Sequence, residues 1–239
     1  MKKVIASFAC LIAVALFTAQ TTVLPKTTVL PKTTVLGATT AATVTLTHVS
    51  LCSNVSSGAT CTITTTGSSH GLFITLQANS GAATVTSITD GGDTFTQVTS
   101  GNVTCQTTLN DIWYTPSTGG ARTGIAITTS TGTAYFAAVY EASGTNASAP
   151  LDQHATSSTS GSNPPGAAVT ITAPSELIVT TQIVNTSLTA VTAPFTFDGT
   201  NGLGGGQAHM VSTTTGTYTP NWTGGGAAAT CGTTASFKP

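Results

Sequence analysis

The chain predicts an all-β fold, a single antiparallel β-sandwich or jelly roll with an extended N-terminal arm. Three observations carry this expectation. Only 5% of the 239 residues are charged. Threonine fills roughly a quarter of the chain; it is β-branched and fits a pleated strand, while its hydroxyl satisfies water on an outer face. From Thr43 to Pro239, short apolar runs alternate with Gly, Ser and Asn, and no helical period with caps is sustained.

Residues 1–20 have the form of a secretory signal. Lys2 and Lys3 supply the charged start, Val4 to Phe17 is apolar except for Ser7, and small residues suited to cleavage follow at Ala13-Val14-Ala15 or near Ala19. The apolar run is shorter than the ~20 residues that span a bilayer. Cys10 lies too early in it to suggest lipid attachment. Removing the signal leaves Lys26, Lys32, Arg122 and Lys238 against seven acids. Nucleic acid needs several phosphate-neutralising cations, so that partner is excluded, and anionic lipid is disfavoured for the same reason.

Residues 21–42 form the arm. Thr-Thr-Val-Leu-Pro-Lys occurs at Thr21–Lys26 and Thr27–Lys32, and Thr33–Leu36 begins a third copy. Each unit is strand-like except at its proline, which removes a ladder donor and confines the segment to an edge. The arm reads either as a stiff linker or as a strand that adds to the open edge of another subunit. In the second reading Val23, Leu24, Val29, Leu30, Val35 and Leu36 are the anchors. Extended, Thr21–Gly37 would reach roughly 55 Å.

Residues 43–239 are the predicted sandwich, long enough for one core. Its candidate strands are Thr43–Val49, Leu72–Gln77, Val85–Thr89, Asp111–Tyr114, Gly124–Thr128, Ala134–Glu141, Val169–Thr172, Glu176–Ile183, His209–Thr213 and Ala235–Phe237. Leu72, Ile74 and Leu76 alternate onto one face. Ala134–Tyr140 is apolar on both faces, as a doubly covered strand would be. Asp90-Gly91-Gly92-Asp93 reads as a hairpin turn.

Four cysteines follow the signal: Cys52, Cys61, Cys105 and Cys231. An even number in an exported chain suggests disulfides, with three connectivities open. We favour Cys52–Cys61 and Cys105–Cys231, which would contribute about 2.7 and about 4.9 kcal/mol by loop closure. There is no C-x-x-C pair and no His at ligand spacing to suggest a metal centre.

Several patterns invite a chemical reading. Gly67-Ser68-Ser69-His70-Gly71 fits G-x-S-x-G, but that elbow requires a helix after the serine, and a strand pattern follows here. A glycosidase needs two facing carboxylates; Glu141 and Glu176 flank strands, Asp152 follows a proline, and Asp90 and Asp93 sit in a turn, all ordinary positions for acids. Asp90 and Asp93 also offer oxygens to Ca²⁺. His48, His70, His154 and His209 are scattered. Trp222, beside Gly224-Gly225-Gly226, and Trp113 are candidate stacking residues for a sugar face, although core packing is the commoner fate of such rings. The rows Thr43-Thr45-Thr47 and Thr62-Thr64-Thr66 lack the fixed repeat of an ice-binding solenoid.

Five segments occur in a telling order: Asp90-Gly-Gly-Asp-Thr-Phe95, Asp111-Ile-Trp-Tyr114, Val139-Tyr-Glu-Ala-Ser-Gly144, Pro150-Leu-Asp152 and Ala173-Pro-Ser-Glu-Leu-Ile-Val179. Together they resemble an exported β-sandwich domain common in surface proteins of environmental bacteria. The resemblance covers Thr43 to the C-terminus and implies fold and export but no chemistry. The expectation is a non-catalytic exported protein with a structural or adhesive role at the cell surface, without a cofactor, whose copies join through the arm. The alternative is a carbohydrate-binding module; a glycoside hydrolase or esterase is more remote. Self-association, other surface proteins and glycans are the expected partners.

Overall fold

The structure, a computed structural model, describes residues 42–79, 83–98, 103–200, 204–226 and 228–239. Residues 1–41, which hold the expected export segment and the Val and Leu anchors of the expected arm, lie outside these residues. All regular structure among the described residues is β, as the threonine-rich alternating pattern predicts.

The first half of the sandwich contains β1 (Thr45–Val55), β2 (Thr60–Thr62), β3 (Gly71–Ala78), β4 (Val85–Thr89), β5 (Thr96–Gln97), β6 (Val103–Cys105), β7 (Thr108–Thr115), β8 (Gly124–Thr129) and β9 (Tyr135–Ser143). The second half contains β10 (Leu151–Ser160), β11 (Val169–Ile171), β12 (Leu177–Ile183), β13 (Leu188–Val191), β14 (Thr196–Thr200), β15 (Gly205–Val211), β16 (Gly216–Tyr218), β17 (Trp222–Gly224) and β18 (Ala229–Phe237). One large antiparallel sheet has the order β1-β9-β3-β7-β5, with β6 also on β7; the other has the order β10-β18-β12-β15-β14.

These two orders are the same path walked twice. β1, β9, β3, β7 and β5 correspond to β10, β18, β12, β15 and β14. The small sheet β2-β8-β4 has its counterpart in the pairs β11-β16 and β13-β17, where two short strands divide the work of β8. Registers agree as well. Tyr114 and Tyr140 flank Phe73, and His209 and Ala235 flank Val179, with the same sequence separation across the shared strand. Each first strand carries a bulge at the matching place, between Leu46 and His48 and between Leu151 and Gln153. The fold is therefore an internal structural repeat, and the halves form one compact unit.

Burial explains the layering. The two large sheets pack face to face through Phe73, Ile112, Tyr140, Leu177, Val179 and Phe237, with the Phe73 and Phe237 rings 4.3 Å apart. The opposite face of the first sheet, carrying Ile74, Leu76 and Val139, is covered by Ile88, Ile125 and Ile127 of the small sheet. The opposite face of the second, carrying Ile178, Ala208 and Met210, is covered by Val169, Ile171, Leu188 and Trp222. β3, β9 and β12 are thus sandwiched on both sides, which is why their sequences are apolar at successive positions. Part of the seam between the sheets is polar. Gln77 Nε2 donates to Thr181 Oγ1 at 2.6 Å, and Asn110 Nδ2 donates to Thr181 O at 3.2 Å. Amides buried in this way are tolerated because they reach a partner on the facing sheet.

Both favoured disulfides are present. Cys52–Cys61 ties β1 to β2 within the first half, and Cys105–Cys231 ties β6 to β18, joining the halves. Such bonds fit an oxidising compartment. The hairpin expected at Asp90–Asp93 is not one: β4 pairs with β8 in the small sheet and β5 with β7 in the large one. The turn carries the chain between layers, a job that uses the same Asx-turn residues.

Candidate functional site

The acids organise the polar chemistry of the molecule, and the densest cluster surrounds Glu141. This residue sits on the outer face of β9, in phase with Ala137 and Val139, and its side chain is 1% exposed. Its Oε2 accepts from His48 Nδ1 on β1 at 2.8 Å, and its Oε1 accepts from His70 Nδ1 at 2.8 Å. The loop before β3 adds the backbone N–H of Thr66 and of Gly67, each 3.0 Å from Oε1. Gly67 is required there because a Cβ would occupy the space of the His70 ring. Burial alone would raise the Glu141 pKa, but the bonds from His48, His70, Gly67 and Thr66 outweigh it and hold the carboxyl at about 2. An ionised carboxylate only accepts, so each imidazole donates from Nδ1 and turns its Nε2 away.

The matching place in the second half has different chemistry. Ser236 stands where Glu141 stands, opposite Gln153 after the bulge. The acids here are Asp152 on β10 and Glu176 just before β12. Glu176 is fully buried, takes an N–H from Ala173 at 3.3 Å, and has its pKa raised by burial and by the neighbouring Asp152. Lys238 Nζ lies 3.9 Å from Asp152 Oδ1.

The other acids are also committed. Asp90 and Asp93 share the Arg122 guanidinium: Nε lies 3.2 Å from Asp90 Oδ2 and 3.0 Å from Asp93 Oδ2. The two carboxylates, which also offered oxygens to Ca²⁺, face a guanidinium of the same protein. Asp111, fully buried, accepts from Gln97 Nε2 at 2.6 Å and from the Trp113 indole N–H at 2.8 Å. Asp198 on β14 accepts from Tyr140 OH at 2.8 Å, a bond across the seam between halves, and pairs with His209 Nδ1 on the neighbouring β15 at 2.7 Å. Burial, reinforced by Asp198, pushes the Tyr140 phenol well above its ordinary pKa.

The sequence candidates therefore separate. Glu141 and Glu176 lie on opposite outer faces, with the cores of Val139 and of Ile178 respectively, so they do not face across a cleft. Ser69 adopts φ 66° and leads into β3 rather than a helix, so the nucleophile-elbow geometry is absent. Trp222 is 1% exposed, packed among the second outer core with Phe197 at 6.3 Å; a sugar platform needs an exposed ring, and this corrects the ligand-binding reading. Gly206 makes the burial possible, since a Cβ there would come within 3.0 Å of the indole. Trp113 is half-buried against the first outer core, with its N–H taken by Asp111. Among the described residues no three His, Cys, Asp or Glu are arranged to hold a metal ion.

Sequence reasoning missed one surface. Val49 and Leu51, 37% and 48% exposed, are the exposed large hydrophobics among the described residues. Both lie on β1, which pairs on one side with β9 and is the edge of its sheet. The signal was readable, since His48-Val49-Ser50-Leu51 continues the predicted first strand. Comparison of the chain with protein-family models, with curated proteins and with solved structures returned no match.

Proposed function

We propose that the protein is an exported, non-catalytic β-sandwich with a structural or adhesive role at the cell surface, whose copies join by strand addition of the arm. The observation that carries this reading is the pairing of exposed Val49 and Leu51 with an open sheet edge. Unprotected edges are templates for strand pairing, and proteins ordinarily blunt them with lysine, proline or a covering loop. β1 runs eleven residues without lysine, arginine, acid or proline. The acids support the same reading, because Asp90, Asp93, Asp111, Glu141 and Asp198 are engaged in holding loops or layers together. Export is supported by the leader-like residues 1–20, by the two disulfides, and by the resemblance to exported surface domains.

The experiment is light scattering and electron microscopy of the mature chain with and without Thr21–Leu36. Concentration-dependent, head-to-tail assemblies are expected from the intact chain and monomers from the shortened one. Monodisperse monomers in both cases would end the assembly reading.

A further inference from the structure

We infer that the outer edge of β1 is the acceptor for the arm of a second copy, with Val49 and Leu51 as the apolar contact; this rests on the assembly reading above. Four observations converge on this edge. The hexapeptide arm, residues 21–36, lies outside the described residues and precedes β1 in sequence. β1 is free of the charges that block pairing. Its apolar residues are two apart, with no register shift between them, so they share one face of the sheet. The equivalent edge strand of the second half, β10, offers Gln153, His154, Thr156, Ser158 and Ser160 as its exposed residues, which gives an incoming strand nothing apolar to cover.

The arm's sequence suits this edge. Pro25 and Pro31 are an even number of residues apart, so in an extended strand both missing N–H groups fall on the same side. The other side keeps every donor and can pair with β1, while the proline side discourages a further strand. One arm would therefore close one edge instead of seeding an endless sheet. Val and Leu are adjacent in each unit, so either face of the arm brings an aliphatic side chain over Val49 and Leu51 once per unit. The repeat length is also even, so a slip by one unit preserves both faces.

A partner's arm is favoured over the chain's own. Val44 is buried between the large sheets, and its N–H donates to Ser175 Oγ at 2.9 Å. Ala42 and Thr43 lie beside Pro174, Ser175 and Val211–Thr213, on the rim of the opposite sheet. The chain thus reaches β1 across that rim, not along the open edge. Each copy would give its arm to the next, a heterologous contact that builds a filament.

The test uses the mature chain, the same chain lacking Thr21–Leu36, and a synthetic peptide of residues 21–36. Hydrogen exchange should show new protection at β1 amides when the peptide is added to the shortened chain. Leu51→Lys should weaken peptide binding by roughly tenfold or more, as expected for losing a buried leucine contact and adding an edge charge. Thr156→Lys on β10 should change it by less than about twofold. Both positions are exposed, so circular dichroism should show intact folds, and Leu51→Thr supplies a milder variant if Leu51→Lys does not fold. Assembly that survives Leu51→Lys without β1 protection would overturn this edge while leaving arm-driven assembly standing. β1 protection that is independent of concentration in the mature chain would mean that the arm folds back on its own β1, and would overturn the partner assignment. No peptide binding and no assembly would remove both readings.

Discussion

The two halves handle acid at the same structural point in opposite ways. In the first, the acid is on the central strand: Glu141 on β9 is ringed by His48, His70 and two backbone N–H groups, and its pKa falls to about 2. In the second, the central position is Ser236 and the acids are on the flanks, where burial and the neighbouring Asp152 raise the pKa of Glu176. The same backbone, bulge included, therefore holds a stabilised carboxylate in one half and a crowded pair in the other. A repeat fixes where a polar cluster must sit. It leaves open the sign of that cluster's response to pH.

The largest expected effect concerns the bond that joins the halves. Cys105→Ala with Cys231→Ala should lower stability by about 4.9 kcal/mol, against about 2.7 kcal/mol for Cys52→Ala with Cys61→Ala. The first pair closes a separation of 126 residues and the second a separation of 9. Urea unfolding under non-reducing conditions measures both. Equal losses would mean that the halves stay associated in the unfolded ensemble, weakening the view of them as separate units joined by a staple.

Next comes the comparison of central positions. Glu141→Gln should cost about 3 kcal/mol at pH 7, because a pKa held near 2 instead of the ordinary 4.5 corresponds to about that stabilisation. Ser236→Ala should cost about 1 kcal/mol or less, the worth of an ordinary hydrogen bond. If Ser236→Ala proves as costly as Glu141→Gln, the contrast between the clusters is wrong.

Acid titration of stability sharpens the same contrast. Glu141 has a lowered folded pKa, so its contribution is complete above its unfolded value of 4.5 and disappears as the pH falls toward 2. Glu176 has a raised folded pKa, so its proton binds better in the folded state. Its favourable contribution is present below 4.5 and is lost as the pH rises through the folded value. Wild-type stability should thus fall steeply between pH 4.5 and 2, and Glu141→Gln should flatten that fall. A profile unchanged by Glu141→Gln would show that other acids control the acid limb.

How much of this was legible follows from which residues carry two kinds of information. β3, β9 and β12 announce themselves because burial on both faces demands apolar residues in succession, and among three open cysteine pairings the favoured one, with its short Cys52–Cys61 staple, is the one formed. β10 was invisible: Asp152-Gln153-His154 and the Ser/Thr run after Ala155 describe an exposed edge, which lacks an apolar face to betray it. The repeat was invisible too, because the halves share register and bulges while filling equivalent positions with unlike residues, as Glu141 and Ser236 do. Trp222 misled because the glycines beside it read as an exposed loop, whereas the room for its ring comes from Gly206, on a strand of the large sheet. Long-range placement of this kind has no local signature.

The smallest effect discriminates most finely. Among the described residues, two buried oxygens, Asp152 Oδ2 and Glu176 Oε2, have no donor within hydrogen-bond distance. Glu176→Gln keeps an oxygen for the Ala173 N–H and places an NH2 group where Glu176 Oε2 stood, next to Asp152. It also removes the burial cost of a charge on Glu176. The variant should therefore be more stable than wild type at pH 7 by about 1 kcal/mol, the net worth of one added hydrogen bond. The gain should shrink on acidification, because the wild-type Glu176 then carries its own proton and donates to the same neighbour. In the first half the same amide exchange, Glu141→Gln, removes stability, so one chemical change should act with opposite sign in the two halves. Urea midpoints at pH 7 and pH 4 decide it: destabilisation by Glu176→Gln at both values would mean that Glu176 is held as a carboxylate, like Glu141, and that the halves do not differ in the way their geometry indicates.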